Sequence, residues 1–244
     1  DYIDGTLVSN GHAVNSFYSY KFDKLDSEGY PVFKDVNEKD EDGNAVVHSQ
    51  QEMFDRAFVY SGKREADLNG GFSAFLKYKN ISLNALFSFS FGSNIRLNDL
   101  YQSSGQNLPY PDQNMSSEFV DRWRVPGDEE RTNIPVLSDK SLAIRNSDVT
   151  YRIADNGWDM YNKSDLRVVS GSFLRCRSMS IRYDLKPEWL KPLYLKGASV
   201  SFDAGNVFVL KDKALKGRDP EQIGLGSRSI PPQRSYAVRI SLTL

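Results

Sequence analysis

The chain has 244 residues, with 31 Lys plus Arg against 32 Asp plus Glu and a formal net charge of −1. This balance gives no general electrostatic case for nucleic acid as a partner. The single cysteine, Cys176, excludes an internal disulfide, and no run approaches the roughly 18 apolar residues of a membrane helix. Charge is uneven along the chain: from Leu166 onward there are 14 basic and 6 acidic residues, whereas positions 35–42 hold five acids and one Lys. Such asymmetry separates surfaces of one protein. No basic and apolar leader opens the sequence.

In chain order, the first candidate strand is Ala13–Phe22, rich in Tyr and Phe but irregular in pattern. Two regular strands follow between Gly71 and Gly92. Phe72, Ala74, Leu76 and Tyr78 alternate with Ser73, Phe75, Lys77 and Lys79; then Ile81, Leu83, Ala85, Phe87, Phe89 and Phe91 alternate with Ser82, Asn84, Leu86, Ser88 and Ser90. A period of two means a strand with one apolar face. Only a tight turn at Lys79-Asn80 fits between the two. Phe173–Leu185 changes parity, with Leu174 and Cys176 on one phase and Met179, Ile181 and Tyr183 on the other. A β-bulge near Arg177-Ser178 reconciles them. Gly197–Leu210 alternates again. In 235–244, Tyr236, Val238, Ile240, Leu242 and Leu244 share one face. The lengths suit membrane-spanning strands of about 9–11 residues.

The connections alternate too. Asp23–Gly70, Ser93–Ser172 and Lys211–Arg234 are long, whereas Lys79-Asn80 and Lys186–Lys196 are short. Outer-membrane barrels have short periplasmic turns and long extracellular loops. A soluble sandwich has short connections at both ends. The fold class expected is therefore all-β: an antiparallel transmembrane β-barrel segment of about six strands with long extracellular loops. The alternative is a soluble carbohydrate-binding β-sandwich module.

No catalytic constellation is present: no Gly-x-Ser-x-Gly, no phosphate-cradling loop and no dinucleotide fingerprint. His12 and His48 have no partners at metal-ligand spacing, so neither a metal nor another cofactor is expected, and the chain is not expected to be an enzyme. The acidic stretch 35–43 resembles a calcium loop but lacks a glutamate in the closing position, since the twelfth place from Glu38 is Ser49. Tyr101, Tyr110, Trp123, Tyr151, Trp158 and Tyr161 all fall in the longest outer segment. They are candidates for substrate or partner contact, because aromatic faces give large, stiff contact areas. The bland account is that they pack that segment against itself. Trp189, in a short turn, reads as a membrane-interface residue. By parity Lys77, Arg175, Asp203 and Arg239 face away from the apolar side and would line a barrel lumen.

Several segments resemble the SusC/RagA family of TonB-dependent outer-membrane transporters. Gly171–Leu185 is similar to its Ser-Phe-Leu-Arg strand, Gly205-Asn206-Val207-Phe208 to its Gly-x-Asn-Leu-Phe, and Gly217-Arg218-Asp219-Pro220-Glu221 to its Gly-x-Asp-Pro-Glu. Arg234-Ser235-Tyr236 resembles its closing Arg-Thr-Tyr strand, and Asn15–Tyr20 its Gly-Ser-Phe-Tyr-Gly-Tyr. Gly70-Gly71-Phe72 and Asp121-Arg122-Trp123 with Pro135 fit in the same order. The family usually closes on Phe where this sequence has Leu244. The resemblance implies that residues 1–244 are the C-terminal part of a plugged barrel of roughly 22 strands, in the outer membrane of a Gram-negative bacterium. It implies import of oligosaccharides or peptides with a SusD-like surface lipoprotein. Plug domain, remaining strands and the N-terminal region that meets the TonB complex would lie outside this sequence. The partners so expected are that lipoprotein, TonB, plug and barrel, substrate and lipid bilayer, with no nucleic acid.

Overall fold

The computed structural model describes residues 10–34, 40–42, 50–101, 114–137, 157–223 and 230–244. Strands β1 (Ser16–Tyr20), β2 (Phe22–Leu25) and β3 (Pro31–Phe33) precede helix α1 (Gln50–Ala57) and β4 (Phe58–Lys63). The long strands β5 (Leu68–Tyr78) and β6 (Ile81–Phe91) come next, then β7 (Asn94–Arg96). Helix α2 (Gly157–Asn162) and β8 (Val168–Ser170) lead to β9 (Phe173–Asp184), which is followed by α3 (Pro187–Leu190), β10 (Gly197–Lys211) and β11 (Ser235–Thr243). Contacts divide the chain into two units: 1–64 with 95–169, and 65–94 with 170–244.

The second unit is a sheet in the order β11-β10-β9-β6-β5, every neighbouring pair antiparallel. Register carries the alternation of each strand across all five. One row runs Tyr78–Ile81–Tyr183–Val200–Ile240, the next Leu76–Leu83–Ile181–Phe202–Val238, the next Ala74–Ala85–Met179–Ala204–Tyr236. The apolar face is thus continuous, and it is open: Leu76, Ile181, Phe202, Val238 and Ile240 are all exposed. A sheet with an uncovered apolar face is not a folded sandwich, whose apolar faces close on each other. An eleven-residue strand such as β5 rises roughly 34 Å along its axis, or about 24–28 Å at the tilt of barrel strands. That matches the roughly 25 Å apolar band of an outer-membrane wall.

The expected bulge is present. Leu86 pairs with Ser178 while the next residue, Phe87, pairs with Cys176, so Arg177 is extra on β9. The slip brings Cys176 and Leu174 onto the same face as Met179, Ile181 and Tyr183. On the other flank, register shifts between Gly205 and Phe208, where Asn206 has φ 50°.

The short connections are as expected. Tyr78 pairs with Ile81, leaving Lys79-Asn80 as a two-residue turn with Lys79 at φ 51°. Asn80 ties the hairpin to β9: its Nδ2 donates to the Asp184 carbonyl (2.8 Å), and its own carbonyl accepts from Asp184 N (2.8 Å).

One expectation is corrected. The strand around Ala13–Phe22 is not a sixth strand of this sheet. It breaks into β1 and β2 at Lys21; β1 pairs with β4, and β2 with β3, as separate two-stranded sheets. Its pattern is the reason: Phe17 and Tyr20, of opposite parity, are both buried, so it has no single apolar face to give a wall.

The first unit is where the first two of the three long connections fold. Its core gathers Tyr20, Phe22, Leu25, Phe33, Phe58, Leu100, Tyr101, Phe119, Trp123, Ile134, Trp158 and Tyr161 around Ala57. The β2–β3 turn shows how closely it is packed. Asp26 Oδ1 accepts from the backbone of Glu28 and Tyr30 (2.9 Å each), and Gly29 follows at φ 80°. A Cβ on Gly29 would lie inside the indole of Trp123. Gly29→Ala therefore combines an unfavourable left-handed backbone with overpacking against a buried ring. The expected cost is about 2–5 kcal/mol, read as release of the unit to limited proteolysis in the full-length protein. A wild-type digestion pattern would refute this close packing.

Candidate functional site

The face opposite the apolar rows is polar. Lys77, Ser82, Arg182, Ser201 and Arg239 form one row across all five strands, and Phe75, Asn84, Ser180, Asp203 and Ala237 the next. Register thus puts Lys77, Asp203 and Arg239 on one face, and Arg175 joins them beyond the bulge, opposite Val209 and Ser88. Arg239 lies 3.8 Å from Asp203, and Arg182 2.7 Å from Asp184, both exposed pairs. Such pairs contribute ~0–1 kcal/mol each. What they provide is a face that tolerates water.

Higher on the same face the charges are buried. Nη2 of Arg175 donates to both carboxylate oxygens of Asp219 at 2.7 Å, and its Nε is 2.8 Å from Glu221. Arg177, the bulge residue, donates to Glu221 at 2.7 Å and to Ser88 Oγ at 2.9 Å. Lys211 donates to the Arg218 carbonyl. Arg175 and Asp219 are both within a few per cent of fully buried. Two arginines of β9 thereby hold the acidic residues of the Gly217–Glu221 segment, and Leu215 and Ile223 on either side are buried as well. Arg175 and Arg177, two positions apart, share a face by strand parity, and the bulge makes that face the polar one although Met179, Ile181 and Tyr183 have the same parity in sequence. The sequence had marked both segments as motifs without pairing them. Two basic residues beside a parity change, and two acids in the loop after the next strand, were the signal.

The loop aromatics require a correction. Trp158 is 1% exposed, Tyr161 3%, Tyr101 and Trp123 8%. Tyr101, Phe119 and Tyr161 each pack within 6.0 Å of a ring neighbour, with Trp158 at the centre. Their faces are covered, so these four build the core of the first unit and do not offer stacking platforms to a ligand. A long connection needs an apolar interior to hold a shape. Tyr110 and Tyr151 lie outside the described residues, as do positions 35–39 and 43 of the acidic stretch. Among the described residues no cluster of His, Cys, Asp and Glu could hold a metal ion.

Two polar side chains buried with the rings, Asn162 and Arg167, are held by backbone and carboxylate partners. Asn162 donates to the Tyr101 carbonyl (2.7 Å) and accepts from Leu100 N (2.9 Å). Arg167 pairs with Glu118 at 2.9 Å and donates to the Asn98 carbonyl at 2.7 Å. Burial pushes the Tyr161 phenol up to about 12. A phenol whose folded value is raised keeps its full contribution below about pH 10, and that contribution is lost as pH rises toward 12. Alkaline titration should weaken this unit by roughly 2–3 kcal/mol across that window. Tyrosinate absorbance then appears together with loss of near-ultraviolet dichroism. Ionisation of all tyrosines near pH 10 with the structure intact would contradict it.

No family model matches the chain. TonB-dependent receptor P3 of Formosa agariphila is 23% identical over 265 aligned positions, covering 97% of this chain and 23% of that protein. Among solved structures, the RagAB peptide transporter aligns with TM-score 0.59 and 22% identity over 93% of this chain and 22% of its own. The RagAB peptide importer in the closed-closed state aligns with TM-score 0.57 and 20% identity over 93% and 23%. The chain spans about a quarter of the length of these relatives. In fold and in sequence alike, then, it is similar to a portion of a TonB-dependent outer-membrane β-barrel, which bears out the SusC/RagA resemblance carried by its motifs.

Proposed function

We propose that the chain is the C-terminal part of a TonB-dependent importer, contributing wall strands and an outer unit to a plugged barrel. The observation that carries this reading is the five-stranded sheet, apolar and open on one face, polar on the other, and as tall as a membrane is thick. The polar face would line the lumen and meet plug or water, with Lys77, Arg175, Asp203 and Arg239 on it. A SusD-like surface lipoprotein would cap the outer end and deliver substrate, and TonB would act through a plug in another part of the protein. Chemistry of bond breaking has no place in this scheme. Peptides are the favoured cargo, because the solved chains similar to this one are named as peptide importers or transporters; oligosaccharides are the second reading.

The test is uptake by cells with and without the full-length protein. Labelled oligopeptides too large for passive pores should enter only when the protein is present and the inner membrane is energised. A tagged copy should retain a surface lipoprotein on purification. Uptake that survives collapse of the proton-motive force would mean a passive pore. Energised uptake of oligosaccharide alone would replace the peptide reading.

A further inference from the structure

The short-turn end of the sheet carries a collar of exposed rings and lysines. Trp189 is 55% exposed, Tyr78 71% and Tyr194 92%. Lys79, Lys186, Lys191 and Lys196, all exposed, accompany them. The Lys79 ammonium stands 5.2 Å from the Tyr78 ring centroid and that of Lys186 5.9 Å from Trp189. The turn is built rather than loose: Leu190 is 3% exposed beneath it, Leu195 N donates to the Leu190 carbonyl (3.3 Å), and Lys196 N donates to the Thr243 carbonyl (2.8 Å). Two residues of the collar, Lys79 in the hairpin turn and Tyr194 in the 186–196 turn, hold left-handed backbones at φ 51° and 54°. Glycine or asparagine suits such positions at less cost, so the presence of these long side chains asks for a use.

Interfacial rings sit at headgroup depth, and a cation about 5–6 Å from a ring centroid must sit there too. The turn 186–196 has three Lys and one Glu, and Lys79 adds a fourth cation. The complementary partner at that depth is an anion with an acyl tail. We propose that this collar binds acidic phospholipid headgroups, the rings setting depth and Lys79, Lys186, Lys191 and Lys196 setting charge preference. The proposal rests on the membrane-wall reading.

The experiment uses the full-length protein in nanodiscs of equal phosphatidylglycerol and phosphatidylethanolamine, with lipids retained after brief detergent extraction counted by mass spectrometry. A second arm adds lipopolysaccharide. Phosphatidylglycerol should be enriched in the native protein, and single Lys→Gln variants should each lower its retention by up to ~5-fold. The variant K79Q/K186Q/K191Q/K196Q should lose the preference while still migrating as a heat-sensitive folded barrel. Equal retention of both phospholipids, enrichment unchanged in the quadruple variant, or lysine-dependent capture of lipopolysaccharide instead would each overturn the proposal and leave the wall reading standing. Failure of the native protein to enter any bilayer would overturn both.

Discussion

Arginine in place of Ile181 should weaken the folded protein by about 1–3 kcal/mol, whereas isoleucine in place of the adjacent Arg182 should change it little. The two residues are neighbours on the central strand, but their registers differ. Ile181 lies between Leu83 and Phe202 on the apolar face, and Arg182 lies between Ser82 and Ser201 on the polar one. A guanidinium on the lipid face costs about 2–4 kcal/mol at the mid-plane and about 0–1 kcal/mol near the interfaces, and Ile181, one row in from Tyr183, lies between those depths. Arg182→Ile gives up an exposed pair with Asp184, a loss of ~0–1 kcal/mol. Folding midpoints of the full-length protein in lipid, read by heat-sensitive gel mobility, separate the two. Equal effects would mean that both faces see the same environment, and the wall reading would be lost. A larger effect for Arg182→Ile would invert the facing of the whole sheet.

The second large effect concerns the loop staple. Arg175→Ala should cost about 3–5 kcal/mol, because it strands the buried Asp219 carboxylate without its cation. Lys211, Lys213 and Lys216 should then become open to trypsin in the otherwise folded protein. The double variant R175M/D219L should recover much of the loss, since a buried ion pair replaced by apolar groups of similar volume is often neutral. Arg177→Ala removes a half-exposed partner of Glu221 and should cost far less. If R175A left the loop protected, or R175M/D219L were no better than R175A, the pair would not be what holds the loop. The network fixes the segment after β10 against the polar face of the sheet.

Much of the sheet was legible in the residues alone. Alternation at Phe72–Tyr78, Ile81–Phe91 and Tyr236–Leu244 fixed strand, length and facing, because a period of two has one physical solution when one side must be apolar. The parity change at Arg177-Ser178 announced the bulge for the same reason. The long and short connections told which ends of the strands carry the turns. Residue types also marked Gly217–Glu221 as a motif.

What local pattern left open was decided by contacts far apart in sequence. Whether Trp158 and Tyr161 meet a ligand or one another depends on Tyr20, Phe22 and Phe33, more than a hundred positions away, and burial settles it in favour of a core. Ala13–Phe22 looked like wall because aromatic residues suit both a membrane face and a small core. Only pairing of Tyr18 with Tyr60 and Tyr20 with Phe58 distinguishes the two. Arg175 and Asp219 are 44 positions apart, and nothing in either segment specifies the other beyond opposite charge. Periodicity is a local consequence of backbone geometry, so the sequence determined the strands and their faces. Partnership between distant side chains is a property of packing, so only the tertiary structure decided the core, the staple and the collar.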